Sequence, residues 1–378
     1  MKLCQLLWTP AAGWSGGPHG VAGEAVQLVL TFGAPGALRQ AALFAQLRDW
    51  FPNAVLAGCS TAGEIADTRV HDESLVATVV EFEHSTTASV VVPVPGSCDG
   101  RAAAQRIVHD LVRPGLRHVM IFCDGLAVNG SSIASALRES LPHGVCVTGG
   151  LAADADRFID TLVACNGAGQ SRQVLAIGFY GERLRVGYGS VGGWDTFGPA
   201  RLVTRAKGPV LFELDGKSAL ELYKAYLGDY AAGLPASALR FPLLLEDGPP
   251  GEGLVRTVLG TDDASGSMRF GGDIPQGARV RLMKANFDRL VQSAGDAAAQ
   301  GLRRLAGADA QLAVLVSCVG RRLVLRQRVE EELEAVRAVL GAAALAGFYS
   351  YGELCPRGMQ GGCELHNQTM TVTTFAEA

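Results

Sequence analysis

The chain contains one irregular string twice, first as Leu56-Ala-Gly-Cys-Ser-Thr-Ala-Gly-Glu-Ile65 and again near its other end as Leu345-Ala-Gly-Phe-Tyr-Ser-Tyr-Gly-Glu-Leu354. Both copies open with Leu-Ala-Gly, carry a Gly-Glu pair and close on an apolar residue. Glycine-rich turns that end in a carboxylate suit places where the backbone comes close to a ligand. The repeat therefore predicts internal duplication and a binding site formed by its turns.

The elements around the first copy recur in the same order. The pattern predicts strands at 26–31 and 54–57, a helix at 38–50 between them, and a hairpin of two β-rich runs, 74–82 and 87–94. A second such series begins at His118 and a third at Gln311. The middle series has the turn Gly149-Gly-Leu-Ala-Ala-Asp154, which lacks the Gly-Glu pair.

These series predict the α/β class, in its mixed α+β form. We expect mixed, partly antiparallel sheets flanked by helices, and internally duplicated strand-helix-strand-hairpin modules. A separate segment of strands with one amphipathic helix, at 216–227, lies between the second and third modules. We predict two domains, 1–210 and 211–378.

Composition excludes several classes of protein. The 378 residues are 48% hydrophobic and 19% charged, which supports large cores and argues against disorder. The net charge of -4 gives no basic footprint, so we expect no nucleic-acid partner. No apolar run approaches the roughly 20 residues that span a bilayer, and the N-terminus does not read as a signal peptide. Nine scattered cysteines do not form a disulfide framework, and we expect a cytoplasmic protein without membrane contact.

Several motifs resemble the FIST domains of bacterial signalling proteins. Asp124-Gly-Leu126, Thr148-Gly-Gly-Leu-Ala152 and Gly192-Gly-Trp-Asp195 resemble the N-terminal FIST domain. The C-terminal FIST domain is matched by Glu213-Leu-Asp-Gly-Lys-Ser-Ala219, Gly347-Phe-Tyr-Ser-Tyr-Gly-Glu353 and Leu365-His-Asn-Gln-Thr-Met-Thr371. Together these motifs cover nearly the whole chain.

This resemblance implies a ligand-sensing signal-transduction protein. Family members act on separate partners, either histidine kinases of two-component systems or enzymes of cyclic-di-GMP turnover, namely diguanylate cyclases and phosphodiesterases. The run Leu315-Val-Ser-Cys-Val-Gly-Arg-Arg-Leu323, with 365–371, is similar to the stand-alone NosP-type sensors, which bind haem b and detect nitric oxide. The alternatives are a haem-free receptor for a small ligand such as an amino acid, and a ligand-free adaptor. A homo-oligomer is a further expectation.

His366 is the candidate ligand of a haem iron. Iron needs an axial His, Cys, Tyr or Met, and His366 is the only histidine in the C-terminal half and within a specific motif. A strand would place His366 and Gln368 on one face and Asn367 on the other. The second ring nitrogen would need an acceptor, either Glu353 or a backbone carbonyl. Alternatively, His366 and Asn367 hydrogen-bond the glycine turn and hold it shut.

Other residues are candidates for lining the cofactor site. Cys355, in a Cys-Pro pair, is the alternative iron ligand, unless it is an exposed loop cysteine. Tyr349 and Tyr351 share one face at strand spacing and either line the pocket or pack in the core. Arg321 either pairs with an acidic ligand group or is solvated at the surface.

The two turns are the candidate site for a small ligand. Gly58, Ser60 and Gly63 in the first turn, and Gly352 in the last, would offer backbone amides to a carboxylate. Glu64 and Glu353 would hold an ammonium group. The alternative is that each glutamate binds the amides of its own loop.

Patterns typical of enzymes are not supported. Gly187-Tyr-Gly-Ser-Val-Gly192 spells G-x-G-x-x-G, but the next residues, Gly193-Trp-Asp-Thr-Phe-Gly-Pro199, cannot easily open the helix that dinucleotide binding needs. Ser60 is out of register for the G-x-S-x-G elbow. We therefore expect no catalysis.

Overall fold

The computed structural model describes residues 1–94, 100–246, 253–358 and 362–378. Its first part contains two helices, α1 (Pro35–Leu38) and α2 (Ala41–Trp50). Its strands are β1 (Lys2–Thr9), β2 (Gly13–Trp14), β3 (Leu28–Gly33), β4 (Val55–Ser60), β5 (Glu64–Ala66), β6 (Arg69–His71), β7 (Leu75–Glu81) and β8 (Thr86–Pro93).

The second part contains two helices and five strands. The helices are α3 (Gly100–Leu111) and α4 (Gly130–Ser140), and Asn129 caps α4 by accepting from the amides of Ser131 and Ser132. The strands are β9 (Leu116–Cys123), β10 (Cys146–Leu151), β11 (Val163–Cys165), β12 (Gln173–Tyr180) and β13 (Leu184–Val191).

The next segment forms a body of its own, which we call the inserted sheet. It carries the helix α5 (Ala219–Leu227) and the 3-10 turns Gly228–Gly233 and Ala236–Arg240. Its strands are β14 (Asp195–Lys207), β15 (Val210–Leu214), β16 (Lys217–Ser218), β17 (Leu243–Leu245), β18 (Leu254–Arg256), β19 (Val258–Asp262), β20 (Ser267–Phe270) and β21 (Arg279–Lys284).

The last part repeats the design of the second. Its helices are α6 (Phe287–Arg303), α7 (Val319–Leu325) and α8 (Val329–Leu340). Its strands are β22 (Leu312–Cys318), β23 (Ala344–Ser350), β24 (Glu353–Pro356), β25 (Cys363–His366) and β26 (Met370–Glu377).

Three sheets in the described ranges have six strands each and the same internal order. They run β11-β4-β3-β7-β1-β2, then β25-β24-β10-β9-β12-β8, and β6-β5-β23-β22-β26-β13. In each sheet the only parallel pair is joined through helices, as parallel pairs require. The first edge of each sheet comes from another module, from the segment that follows that module's turn. These segments are β11 in the first sheet, β24 and β25 in the second, and β5 and β6 in the third. The predicted mixed fold with duplicated modules is confirmed, and the three modules form a closed cycle.

The cycle corrects one detail of the sequence prediction. The runs 74–82 and 87–94, which we expected to pair as a hairpin, are β7 and β8 in different sheets. Each run alternates well enough to form a strand, but the sequence does not show that the turn between them passes from one sheet to the next. The sheets also take strands from both sides of residue 210, so the predicted boundary there stays a prediction.

The three sheets meet at a shared aromatic centre. Each contributes one fully buried phenylalanine, Phe32, Phe122 or Phe348. Their ring centroids lie 4.7 to 5.9 Å apart, in the range that favours aromatic pairs.

Helices cover the outer faces, and close packing there explains the G-x-G-x-x-G string. A Cβ at Gly187 would lie 2.0 Å from the carbonyl oxygen of Gly301 in α6.

One glycine per module is required by the parallel pair. Gly58, Gly149 and Gly347 occupy the same register position opposite Thr31, Ile121 and Leu315. A Cβ at each would lie 1.7 to 1.9 Å from the carbonyl oxygen of that neighbour. These three glycines therefore allow the strands to pair up to the start of each turn.

Gly347→Ala should destabilise the fold by more than about 3 kcal/mol, because its Cβ collides with the backbone of β22. Urea unfolding measures the change. The matched control is Gly36→Ala, where a Cβ meets nothing within 4 Å and the expected change is below about 1 kcal/mol. Equal stabilities of the two variants would contradict this account of the repeat.

Candidate functional site

The three turns that follow the strands β4, β10 and β23 contact one another in a ring. Residues 60–64 and 349–353 belong to the repeated string, and residues 151–155 belong to the middle module. Their mutual bonds are Ala62 N to Tyr349 O (2.8 Å), Tyr349 N to Gly63 O (2.9 Å), Leu151 N to Gly352 O (2.8 Å), Tyr351 N to Leu151 O (3.2 Å), Ala153 N to Ser60 O (2.8 Å) and Ala155 N to Thr61 O (3.3 Å). We call this arrangement the turn ring.

The turn ring decides between the two interpretations of the repeated turns. The turns do converge, and their backbone groups bind each other. Ser60 is fully buried, and its hydroxyl accepts from the amide of Leu162 at 2.9 Å. The amide of Ser60 donates to the carbonyl oxygen of Leu162 at 2.9 Å and that of Gly63 to Thr61 Oγ1 at 3.3 Å, so neither is free for a ligand and this part of the prediction is corrected. For Gly58 and Gly352 it stays a prediction.

Both glutamates of the repeat are buried in matching networks. Glu64 accepts from Thr61 Oγ1 (2.5 Å), Ser74 Oγ (2.7 Å) and Ser74 N (3.3 Å). Glu353 accepts from Ser350 Oγ (2.7 Å), Thr369 Oγ1 (2.8 Å) and Thr369 N (3.2 Å). Each carboxyl fastens its own turn to the start of the next strand. The prediction of an ammonium-binding pair is therefore corrected. Its alternative also differs from the structure, because the two amides that the glutamates bind, those of Ser74 and Thr369, lie outside the turns.

Burial changes the protonation of these carboxyls. Loss of hydration disfavours the charged form, which raises the pKa of Glu64 to about 7 and that of Glu353 to about 8, although hydrogen bonds lower both. Protonated carboxyls suit a role as neutral fasteners inside the fold.

Two predicted pocket residues belong to a buried ion-pair network. Arg321 is fully buried and contacts Glu332 at 2.8 Å, and it also donates to the carbonyl oxygens of Gly192 and Leu290. The hydroxyl of Tyr349 donates to Glu332 at 2.7 Å. Neither residue is available to a cofactor, because the network uses their polar groups. Arg321 lies in α7 and packs against α6 and α8, so its predicted solvation at the surface is wrong.

Tyr351 is placed differently from Tyr349. Its ring stacks on Phe158, with centroids 4.2 Å apart and planes 8° apart. Its hydroxyl bonds to the buried carboxylate of Asp154. Tyr351 lines a cleft, but a different one from that of His366, so the prediction that it lines the cofactor site is not confirmed.

Residues 365–369 fasten the inserted sheet to the three-sheet body. The carbonyl oxygen of Leu365 accepts from Arg256 at 2.9 Å, and that of Gln368 accepts from the indole of Trp194 at 2.8 Å. Asn367 Oδ1 accepts from the amide of Thr257 at 3.5 Å. The family motif is thus a latch between the two bodies, and Asn367 serves the latch instead of the glycine turn. The strand β25 ends at His366, and Gln368 has a φ of 60°, so the predicted alternation fails there.

Three clefts lie along the seam between the two bodies. The His366 cleft, of about 500 Å³, is lined by Tyr188, Gly189, Ser190, Val191, Gly192, Gly253, Val255, Gln300, Arg303, Arg304, Pro356, Arg357, Gly358, His366 and Thr369. The Phe158 cleft, of about 640 Å³, is lined by residues 125–130, Leu151, Phe158, Pro209, Leu259, residues 269–273 and Tyr351. The Arg240 cleft, of about 710 Å³, is lined by Asp156, Gly233, Ala236, Ser237, Leu239, Arg240, Arg322, Leu323, Val324, Arg326 and Val329.

The His366 cleft is basic and holds a neutral histidine. Three arginines and no acidic side chain line it within the described residues. Burial lowers the pKa of His366 to about 4, and Arg256 and Arg357 act in the same direction. Its Nε2 lies 3.1 Å from the carbonyl oxygen of Cys355 and donates to it. A backbone carbonyl, one of the two predicted acceptors, thus orients the ring and leaves the Nδ1 lone pair for other partners.

Cys355 is not an exposed loop cysteine. It lies in β24, is fully buried, and burial raises the pKa of its thiol well above the ordinary value. A neutral buried thiol is a poor metal ligand, so the structure disfavours Cys355 as the alternative iron ligand. Among the described residues, no group of three or more His, Cys, Asp and Glu side chains is arranged to hold a metal ion.

Three residues that hold the latch or the loop of Phe158 were not predicted from the sequence: Asp154, Trp194 and Arg256. Asp154 ends the middle turn, so this turn carries a carboxylate although it lacks the Gly-Glu pair. Trp194 belongs to a family motif but had no assigned role. Arg256 lies at the end of a short apolar strand, and a charged residue in such a run indicates a buried polar contact.

Comparison with known proteins identifies this architecture. A FIST N domain model matches residues 27–217, and a FIST C domain model matches residues 219–356. The chain belongs to the FIST family. FIST domains are sensory domains of signal transduction, and two of the motifs that resemble the family, 347–353 and 365–371, lie in the turn ring and in the latch.

Relatives of the FIST chain occur in mycobacteria. Uncharacterized protein Rv0628c of Mycobacterium tuberculosis is 26% identical over 283 residues, covering 72% of this chain and 70% of that protein. Uncharacterized protein Mb0898c of Mycobacterium bovis is 27% identical over 248 residues, covering 62% and 61%. Among solved structures, a cyanuric acid hydrolase from A. caulinodans aligns with a TM-score of 0.36 at 12% identity, covering 100% of this chain and 98% of that one.

Within the ranges that the structure describes, no helix of the FIST chain has the length and apolarity needed to cross a bilayer.

Glu353→Gln should remove a pH-dependent loss of stability. The wild-type carboxyl keeps its proton up to a pKa of about 8 when folded, but ionises near its ordinary 4.5 when unfolded. Its stabilising contribution is therefore complete below the unfolded pKa and is lost as pH rises toward the folded pKa. Glutamine mimics the protonated group at every pH. Relative to wild type, the variant should gain on the order of 2 kcal/mol in unfolding free energy between about pH 5 and 8.

Urea unfolding at several pH values measures this difference. The control is Glu334→Gln on the exposed face of α8, for which we expect a difference that does not change with pH. A constant difference for Glu353→Gln as well would show that its carboxyl ionises normally in the folded state.

Proposed function

We propose that the protein is a cytoplasmic sensor that binds haem b in the His366 cleft and detects nitric oxide. The observation that carries the proposal is the neutral, oriented imidazole of His366 on the wall of a basic cleft. A reducing compartment is supported by seven free thiols among the described cysteines, those of Cys4, Cys59, Cys146, Cys165, Cys318, Cys355 and Cys363.

The residues of the His366 cleft fit a haem. His366 would hold the iron through Nδ1, because Nε2 donates to Cys355. Arg303, exposed at the rim of the cleft, would hold a propionate. Val191, Val255 and Pro356 supply apolar walls. When bound, the iron would supply the atom to which nitric oxide attaches.

His366 connects the cleft to the latch. Its neighbours Leu365 and Asn367 bond to Arg256 and Thr257 of the inserted sheet. A change in the position of His366 would therefore be transmitted to the seam. The proposed readout is a partner histidine kinase, diguanylate cyclase or phosphodiesterase that recognises the two bodies in one arrangement.

We propose binding without catalysis. The hydroxyl of Ser60 is engaged with Leu162, and burial raises the pKa of the Cys59, Cys318 and Cys363 thiols. The surroundings of these groups do not activate them as nucleophiles.

The haem proposal is tested by supplying haem to the purified full chain and recording its visible spectrum. We expect a haem absorption band, a shift of that band with nitric oxide, and a changed or absent band in His366→Ala. The control is His109→Ala, whose imidazole is exposed. Circular dichroism, with His366→Gln as a second variant, separates ligand loss from unfolding. A wild-type protein that stays colourless, or an unchanged band in both His366 variants, would overturn the assignment.

If the protein stays colourless, thermal shifts with amino acids test the haem-free receptor. A ligand that binds only the folded state raises its melting temperature. If no added amino acid changes the Tm, the adaptor is the alternative that is left.

A further inference from the structure

The Phe158 cleft lies on the other side of the latch from the His366 cleft. Leu365 packs toward it, close to Gly130 and Gly272, whereas its neighbour His366 lines the other cleft. The parallel strands β9 and β10 end at this cleft, through Gly125 and Leu151. Ligands of open α/β sheets settle beyond the carboxyl ends of parallel strands.

The loop that carries Phe158 is held in a fixed shape. The buried carboxylate of Asp154 accepts from the amides of Phe158 and Ile159, both at 2.9 Å, and of Asp160 at 2.8 Å. Phe158 has a φ of 55°, in the left-handed region that bulky residues avoid. A non-glycine residue keeps such a conformation only where its surroundings impose it.

The imposed shape displays an aromatic ring at the cleft. One face of Phe158 stacks on Tyr351, and the amide of Phe158 also donates to the Tyr351 hydroxyl at 3.1 Å. Phe158 nevertheless remains 43% exposed and lines the cleft, beside Leu126 at 44%. A rigid stack with an open end is a platform that a third planar ring can extend.

The opposite wall supplies a positive charge. Arg269 is exposed, lines the cleft, and forms no ion pair with any residue that the structure describes. The nearby carboxylate of Asp273 accepts from the side-chain amide of Asn129 at 3.3 Å. Gly271 and Gly272 belong to the same wall, and a Cβ at either would meet side chains of the latch, Asn367 or Arg256. The cleft thus combines an aromatic platform with a guanidinium that can pair with a carboxylate.

We propose that the Phe158 cleft binds a small planar aromatic molecule that carries a carboxylate. Its ring extends the Tyr351–Phe158 stack, and its carboxylate pairs with Arg269. This site is separate from the His366 cleft and does not depend on haem binding there.

Calorimetric titration of the full chain tests the proposal with three carboxylates: phenylacetate, indole-3-acetate and cyclohexylacetate. Cyclohexylacetate matches phenylacetate in charge and length but has a puckered ring. We expect both aromatic acids to bind and cyclohexylacetate to bind about fivefold more weakly, because it cannot stack. Phenylethylamine, which carries the opposite charge, should not bind.

Two variants locate the site. Phe158→Leu keeps an apolar side chain and should weaken both aromatic acids about fivefold while leaving cyclohexylacetate unchanged. Arg269→Gln should weaken all three acids. The control is Arg303→Gln in the His366 cleft, which should change none of them, and the thermal melts of all variants should match that of the wild type.

Three results would overturn the proposal. They are equal affinity for phenylacetate and cyclohexylacetate, unchanged binding in Phe158→Leu, and no binding of either aromatic acid up to about 10 mM. The last result would assign the exposed ring to a protein partner. Because no haem is added, failure here does not bear on the His366 cleft, and a colourless protein in the haem test does not bear on this one.

Discussion

The turn ring is the constraint on which the architecture depends. Each of the three turns donates backbone hydrogen bonds to a neighbouring turn and accepts others in return. An unpaired amide at this depth would cost as much as a lost hydrogen bond or more. The ring satisfies these groups without water, and it requires the glycines and buried carboxyls that make the string recur.

The ring also explains why the modules cannot be separated. The segment after each turn crosses into the sheet of another module, so no sheet is complete without a strand from elsewhere in the chain. The buried fasteners Glu64 and Glu353 lie where the chain crosses over. The three duplicated modules therefore depend on one another, because each completes the sheet of another.

Much of the fold could be predicted from the sequence because its signals are local. The helix predicted at 38–50 is mostly α2 (Ala41–Trp50), the one predicted at 216–227 contains α5 (Ala219–Leu227), and the strands that precede the turns were found to within a few residues. The hairpin at 74–94 was wrong because strand pairing depends on which sheet lies beyond a turn, and hydrophobic alternation does not record that.

The candidate site was harder to predict because identical residue types serve structure and binding. Glu353, Arg321 and Tyr349 have the chemistry of ligand contacts, yet they pair with partners that lie far along the chain or on another element. His366 and Tyr351 do line clefts, and nothing in their spacing separates them from the others. The distinction depends on the inserted sheet, whose position over the three-sheet body no local pattern reveals.

The position of the clefts has a consequence for signalling. The His366, Phe158 and Arg240 clefts each take one wall from the inserted sheet and the other from the three-sheet body. A ligand in any one of them would contact both bodies and would move them apart or together. Different ligands, each in its own cleft, would then change the same quantity, the angle between the inserted sheet and the three-sheet body.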